Sequence, residues 1–345
     1  MEAELNTSTL SKLKKRAFTF LVVMAAFLIM KWFEPVYEVY LLFYLKVIKG
    51  IWALVHSVTF GKLHLIILIV VLINFFKLFK GYTFKQFMIK LCSGMLLIIN
   101  IFFILWGFNY AQPTLSSADS LSLDQLFELN EKALLELNQL RGQVTDQTFL
   151  RGNKLDTPDE DELLIQLALQ TDALIPDVSH YTQPVTVFKN GGLRMMGIGG
   201  IYFPFSGEAL YDGSSPLLRK TFTYAHEYFH AQSVTGEDEC NYLAWKTLAN
   251  SERPSWHYAA YFDLYFTTAR LLDYSSDDIK QQVSAAVWSD VEFLRQERKA
   301  YATWFHSVSA TTNDAYLKML SSEEGTAAYE GYVKWVYRDL LGTSN

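Results

Sequence analysis

The chain has 345 residues, half of them hydrophobic, with a formal net charge of −6; that length suits one or two domains with a sizeable core. Two cysteines, Cys92 and Cys240, exclude a disulfide-stapled framework. Residues 1–111 carry 12 Lys/Arg against 4 Asp/Glu, and residues 112–345 carry 18 against 32; the acidic second part argues for no nucleic acid among its partners, and the apolar, basic first part reads as a membrane region.

Within residues 1–111, the run 17–33 follows Lys12, Lys14, Lys15 and Arg16, is apolar except for Lys31, and suits one span. No A-x-A-like cleavage site follows it, so it reads as an uncleaved anchor. Residues 37–59 are aromatic and apolar but carry Glu38, Lys46, Lys49 and His56. A lysine at mid-membrane costs about 3 kcal/mol on insertion scales, so this stretch reads as an amphipathic helix at the interface. Residues 63–79 and 91–108 read as two further spans, with Lys77, Lys80, Lys85 and Lys90 crowded between them. Three spans with the N-terminus inside put those lysines on the cytoplasmic side. The expectation is therefore a multi-pass protein of the cell membrane, in contact with the lipid bilayer, with its C-terminal domain outside the cytoplasm.

Residues 112–345 have ordinary globular composition. Residues 113–120 form a polar linker, and Ser122 with Gln125 makes a capping box for a helix reaching about Arg141. Thr157-Pro158-Asp159-Glu160 opens another short helix. From Val185 to Phe205 the pattern changes. Alternation at 185–189, a turn at Asn190-Gly191-Gly192, a second start at Leu193 and glycines at 197, 199 and 200 predict a small antiparallel sheet. Glu208 reads as a solvated carboxylate in the loop beyond. Helices are predicted over about 255–274, 276–300 and 322–341, and His180 and His306 read as surface residues. The fold class is α+β, mostly α: N-terminal transmembrane helices (1–111), then a helical domain with a small sheet (112–345).

Residues 217–232 contain no Gly or Pro, and apolar residues recur at Leu218, Phe222, Ala225 and Phe229, a helical period. Pro216 suits the start and Gly236 the stop. This helix carries His226-Glu227-Tyr228-Phe229-His230, the pattern H-E-x-x-H. At i and i+4 the two imidazoles share a face and can share one zinc ion, while Glu227 can reach water on that ion as general base. A catalytic zinc usually takes a third protein ligand. Glu237, Asp238 and Glu239 follow directly, and acidic residues there also suit the positive end of the next helix. Glu237 pairs with Asn241 at i, i+4, so a carboxylate at 237 can bind metal while Asn241 hydrogen-bonds a ligand histidine; Glu239 is the alternative ligand. Cys240 faces away from Glu237 on that helix. His257 and Tyr258 are candidate oxyanion or substrate contacts. A strand beside such a helix could bind an extended peptide by strand addition.

Glu237-Asp238-Glu239-Cys240-Asn241 resembles the Glu-x-x-(small)-Asp/Asn element of gluzincin metallopeptidases. It departs from it in the short spacing after His230 and in Cys240 at the usual alanine position. The chain as a whole resembles a bacterial membrane-protein family catalogued as domain of unknown function 3810. The matching points are Trp32, Glu34-Pro35, Glu38, Trp106-Gly107-x-Asn109-Tyr110, Gly200-x-Tyr202-x-Pro204-Phe205-x-Gly207-Glu208, His226-Glu227-x-x-His230 and Glu237-Asp238-Glu239-x-Asn241. The resemblance implies multi-pass anchoring and a zincin-like domain, and with the gluzincin element a peptide or protein substrate. The resulting expectation is a membrane-anchored zinc metallopeptidase. The alternative is a non-catalytic zinc-binding sensor or partner-binding membrane protein.

Overall fold

In the computed structural model, the described residues are 2–59, 62–77, 82–111, 115, 120–145, 150, 157–174, 185–189, 191–301, 303 and 331–342. His180, His306, Asn190 and residues 322–330 of the last expected helix lie outside them. The chain divides into two units: Met1–Pro113 with Phe203–Glu208, and Thr114–Tyr202 with Ala209–Asn345.

The first unit is helical. α1 (Glu2–Trp32) is followed by α2 (Glu34–Phe43), whose first turn holds Pro35, where its missing N–H leaves no helical bond unmade. A π-helical turn (Tyr44–Ile48) joins α2 to α3 (Lys49–Thr59), and α4 (Leu63–Lys77) and α5 (Phe84–Leu105) follow. A Thr83–Gln86 capping box starts α5. α1 and α5 pack together: Arg16 donates to the Ser93 hydroxyl at 2.9 Å, Asn100 donates to the Arg16 carbonyl at 3.1 Å, and the rings of Phe27 and Phe103 meet edge-on at 5.5 Å.

Two helices among the described residues are long and apolar enough to cross a membrane, the 26-residue stretch Glu34–Thr59 and the 22-residue Phe84–Leu105. The first takes in residues 37–59, the stretch expected as an interfacial helix. The π turn keeps the helix continuous through Lys46 and Lys49; Lys49 is buried within the unit, whereas Lys46 is exposed. α4 is apolar and covers residues 63–77 of the span expected at 63–79; residues 78 and 79 lie outside the described residues. The apolar run at 17–33 forms the second half of α1.

Segment 203–208 is the part of this unit that sequence position hides. Glu208 is not solvated but 2 % exposed. Its carboxylate accepts from the Leu63 and His64 backbone N–H groups at 3.1 and 2.7 Å, from His64 Nδ1 at 2.9 Å and from the Ser206 hydroxyl at 2.5 Å. It therefore takes up N–H groups that the first turn of α4 leaves without helical partners. His56 Nε2 donates to the Ser206 carbonyl at 2.8 Å. Gly207 has φ +67°, and a Cβ there would collide with Trp52, so only glycine suits it.

The second unit is mostly helical around a small sheet. α6 (Leu123–Gln143) starts at the predicted Ser122–Gln125 capping box, and α7 (Thr157–Leu174) is an 18-residue helix rather than a short one. Strands β1 (Thr186–Phe188), β2 (Gly200–Phe203) and β3 (Glu208–Asp212) form a sheet in the order β1-β3-β2. β1 runs parallel to β3, with Thr186 opposite Leu210, so the sheet is mixed where an antiparallel one was expected. The cause lies at residues 192–195, read as a strand but folded as the short helix α8 (Gly192–Met195). Buried Asp212 accepts from the Leu193 and Arg194 N–H groups at 2.9 and 3.0 Å. That interaction captures the helix start and overrides the β pattern. α9 (Leu217–Ala231), α10 (Glu237–Ala249) and α11 (Pro254–Leu271) pack on one another and, through α11, on α6. The expected helix 276–300 is two, α12 (Ser276–Gln282) and α13 (Ala285–Ala300), because Ser284 caps a new start. α14 (Val333–Leu340) follows. The core gathers Leu129, Leu137, Ala225, Tyr228, Phe229, Leu243, Leu248 and Tyr265.

Candidate metal centre

α9 is buried along most of its length. It ends at Ala231 by a reversal rather than at Gly236. Ser233 adopts φ 79°, the Ser233 N–H bonds to the His230 carbonyl at 3.0 Å and the Val234 N–H to the Phe229 carbonyl at 3.2 Å. This left-handed turn is one that a non-glycine residue rarely takes. It swings the chain back so that Gly236 caps α10, and Glu237, Asp238 and Glu239 occupy the α10 first turn.

The reversal brings His226, His230 and Glu237 together, with one ligand-type atom from each, all within 4.8 Å of one another. His226 Nε2 is 3.1 Å from His230 Nε2 and 3.1 Å from Glu237 Oε2, and His230 Nε2 is 3.3 Å from the same oxygen. On the far side of each ring, His226 Nδ1 lies 2.7 Å from Asn241 Oδ1 and His230 Nδ1 2.8 Å from the Val234 carbonyl. Both partners only accept, so each Nδ1 carries a proton and each Nε2 presents a lone pair. Two lone pairs and a carboxylate oxygen then face one point. Such a cluster requires a shared proton or a cation.

The cluster lies within the span of a family match. The family described as Protein of unknown function (DUF3810) matches residues 36–337. The chain belongs to the DUF3810 family. That match takes in α3 to α13 and the whole of the histidine–glutamate cluster, so the DUF3810 pattern covers both units. No curated protein and no solved structure matches the chain.

Within this DUF3810 chain, Glu227 points its side chain at β2. It is 5 % exposed, and its Oε2 has no hydrogen-bond partner among the described residues. Burial pushes its carboxyl up to about 7; the imidazoles of His226 and His230 oppose the rise and Glu237 adds to it. For Glu237 burial works the same way, yet His230 and His226 outweigh it and hold the carboxyl well below the ordinary range. At His230 burial disfavours the cation, but Cys240 and Glu237 beside the ring raise its affinity for a proton well above the ordinary value.

Glu239 turns away from the cluster. Its Oε1 accepts the Leu115 N–H at 2.7 Å, and its carboxylate lies against Gly236. Asp238 is 3.5 Å from Lys334. Neither His257 nor Tyr258 is brought to the cluster. The Tyr258 hydroxyl donates to Asp290 at 3.0 Å, and Asp290 is also paired with Arg141 of α6 at 2.5 Å. The His257 ring lies 5.2 Å from that of Tyr261, with Glu136 of α6 as its charged neighbour. α11 turns Tyr258 to Asp290 of α13 and sets His257 near Glu136 of α6, which helical position alone did not reveal.

Two participants escaped sequence reasoning. Gly200 of β2 touches Glu227; its sequence signals were a glycine inside a strand pattern and a place in the family resemblance, neither of which pointed to Glu227. Cys240 lies 3.3 Å from His230 Nδ1. Helical spacing does place Cys240 away from Glu237, but that direction leads to the back of the His230 ring.

Proposed function

We propose that this protein is a membrane-anchored zinc metallopeptidase, in which His226, His230 and Glu237 hold Zn²⁺ and Glu227 is the general base. The observation that carries the reading is the triangle of Nε2, Nε2 and Oε2 atoms with edges of 3.1, 3.1 and 3.3 Å. Tetrahedral zinc with ligand bonds of about 2.0–2.1 Å requires ligand atoms about 3.3–3.4 Å apart. The donor set fits the ion in size and in kind, two neutral imidazoles and a carboxylate. When bound, Zn²⁺ supplies a Lewis acid that acidifies water and polarises a carbonyl.

Glu227 does the proton work. It takes a proton from the attacking water and returns it to the leaving amine. Its buried, unpartnered oxygen and a carboxyl affinity displaced to about 7 suit a group that must both accept and donate near neutral pH. Asn241 and the Val234 carbonyl keep both Nδ1 atoms protonated, so the Nε2 lone pairs stay available. A purely structural zinc site has no use for a buried carboxylate such as Glu227, which speaks against the sensor alternative.

β2 supports a peptide or protein substrate. It stands at the edge of the sheet, and its Gly200 touches Glu227. A strand edge offers unpaired N–H and C=O groups that an extended peptide can use.

The two long apolar helices support anchoring in the cell membrane. With the apolar half of α1 as a third crossing and α4 beside the membrane, Lys77, Lys80, Lys85 and Lys90 stay cytoplasmic and the C-terminal part lies outside.

Incubating the detergent-purified full-length chain with a peptide library tests the activity. Zinc-dependent cleavage by the wild type and none by Glu227→Gln supports the peptidase. A wild type that binds zinc and cleaves neither the library nor membrane-surface proteins overturns it in favour of the sensor.

A further inference from the structure

His226 and His230 are held from behind in different ways. His226 has the side-chain amide of Asn241 at 2.7 Å. His230 has the backbone carbonyl of Val234 at 2.8 Å, delivered by the left-handed turn at Ser233. A second group converges on the same nitrogen. Cys240 Sγ lies 3.3 Å from His230 Nδ1 and 3.6 Å from the Val234 carbonyl. Sγ, Nδ1 and the carbonyl oxygen thus form a closed triangle behind the ring.

The protons in this triangle can be assigned. The Val234 oxygen only accepts, and His230 Nδ1–H donates to it. The Cys240 S–H has the same oxygen, which only accepts, 3.6 Å away. With the S–H directed at that carbonyl, a sulfur lone pair faces Nδ1–H. Cys240 is fully buried, and its N–H bonds to the Gly236 carbonyl at 2.9 Å, so α10 fixes where the sulfur lies.

We propose that Cys240 is a positioning residue, which locks His230 in the Nδ1–H tautomer and directs its Nε2 at the metal position. This rests on the zinc reading above and goes beyond it. The thiol is not a ligand, because it stands on the opposite side of the ring from Nε2. It braces the Ser233–Val234 turn and the imidazole together, so that His230 does not depend on one carbonyl at a strained turn.

The test compares Cys240→Ala, Cys240→Val and Cys240→Ser in the full-length, detergent-purified chain. Zinc dissociation constants are measured by chelator competition between pH 6 and 8. Outer hydrogen-bond partners of metal-bound histidines typically contribute 10–100-fold in affinity. Because sulfur is a weak partner, Cys240→Ala and Cys240→Val should each weaken zinc binding about tenfold and release zinc at higher pH. Cys240→Ser, which keeps a donor and a lone pair, should stay within about threefold of wild type. Wild-type affinity in Cys240→Val with loss in Cys240→Ser would assign the sulfur to packing alone and overturn the proposal. Three variants indistinguishable from wild type would overturn it as well. A wild type that binds no zinc defeats the metallopeptidase reading itself, and this inference with it.

Discussion

A Cβ placed on Gly200 would lie 2.6 Å from both Cγ and Oε1 of Glu227. The strand backbone therefore rests directly on the side chain assigned as general base, with no room for any other residue at 200. Gly200→Ala must displace the Glu227 carboxylate or the strand. A displacement of about 1 Å at a catalytic group costs on the order of 100-fold in rate, so kcat/KM should fall by about that factor while zinc stays bound. Metal analysis beside peptide-cleavage kinetics checks both halves.

Asn241→Ala removes the acceptor at 2.7 Å from His226 Nδ1. Zinc affinity should fall about 10–100-fold. Asn241→Asp restores an acceptor and should recover most of it. Chelator competition at fixed pH reads the difference.

Glu239→Gln should leave zinc affinity unchanged, because that carboxylate is engaged with the Leu115 N–H and faces Gly236. Glu237→Gln should abolish stoichiometric zinc. The reverse result would make Glu239 the ligand and require a different arrangement of the first turn of α10.

The pH dependence follows from Glu227 and the two imidazoles. On the metallopeptidase reading, activity needs Glu227 deprotonated, and without a cation burial holds that step at about 7. A nearby divalent cation favours the carboxylate, so the acid limb of kcat/KM should lie below 7 in the zinc-loaded protein. Zinc itself should leave at lower pH still, as protons compete for the His226 and His230 Nε2 atoms. An acid limb that persists unchanged in a variant lacking Glu227 but retaining residual activity would assign it to another group.

Glu208→Ala tests the anchoring of segment 203–208. It removes the shared acceptor of the Leu63 and His64 amides, His64 Nδ1 and Ser206, all at a side chain only 2 % exposed. Leaving such buried donors unmatched costs about 1–3 kcal/mol each, so the melting temperature in detergent should drop by several degrees. Glu208→Gln, which still accepts, should drop less.

Most of the architecture could be read from local signals. The Ser122–Gln125 capping box and Pro216 before α9 lie where their chemistry predicts. The cluster of His226, His230 and Glu237 was legible for the same reason: both spacings, i to i+4 and the step across the turn, are short-range. What misled was long-range. Asp212, 18 and 19 residues beyond Arg194 and Leu193, converts an alternating stretch into a helix. Glu208 looks like an ordinary loop carboxylate until His64, 144 residues earlier in the chain, is placed beside it. The direction in which α11 turns His257 and Tyr258 depends on packing against α6, which no spacing within α11 encodes.

The central claim is tested most directly by the metal content of the full-length protein, measured by elemental mass spectrometry after purification without chelator. The account predicts close to one zinc per chain in the wild type and in Glu227→Gln, and loss of zinc in His226→Ala. Wild-type protein without zinc, or zinc retained after His226 is removed, would contradict it.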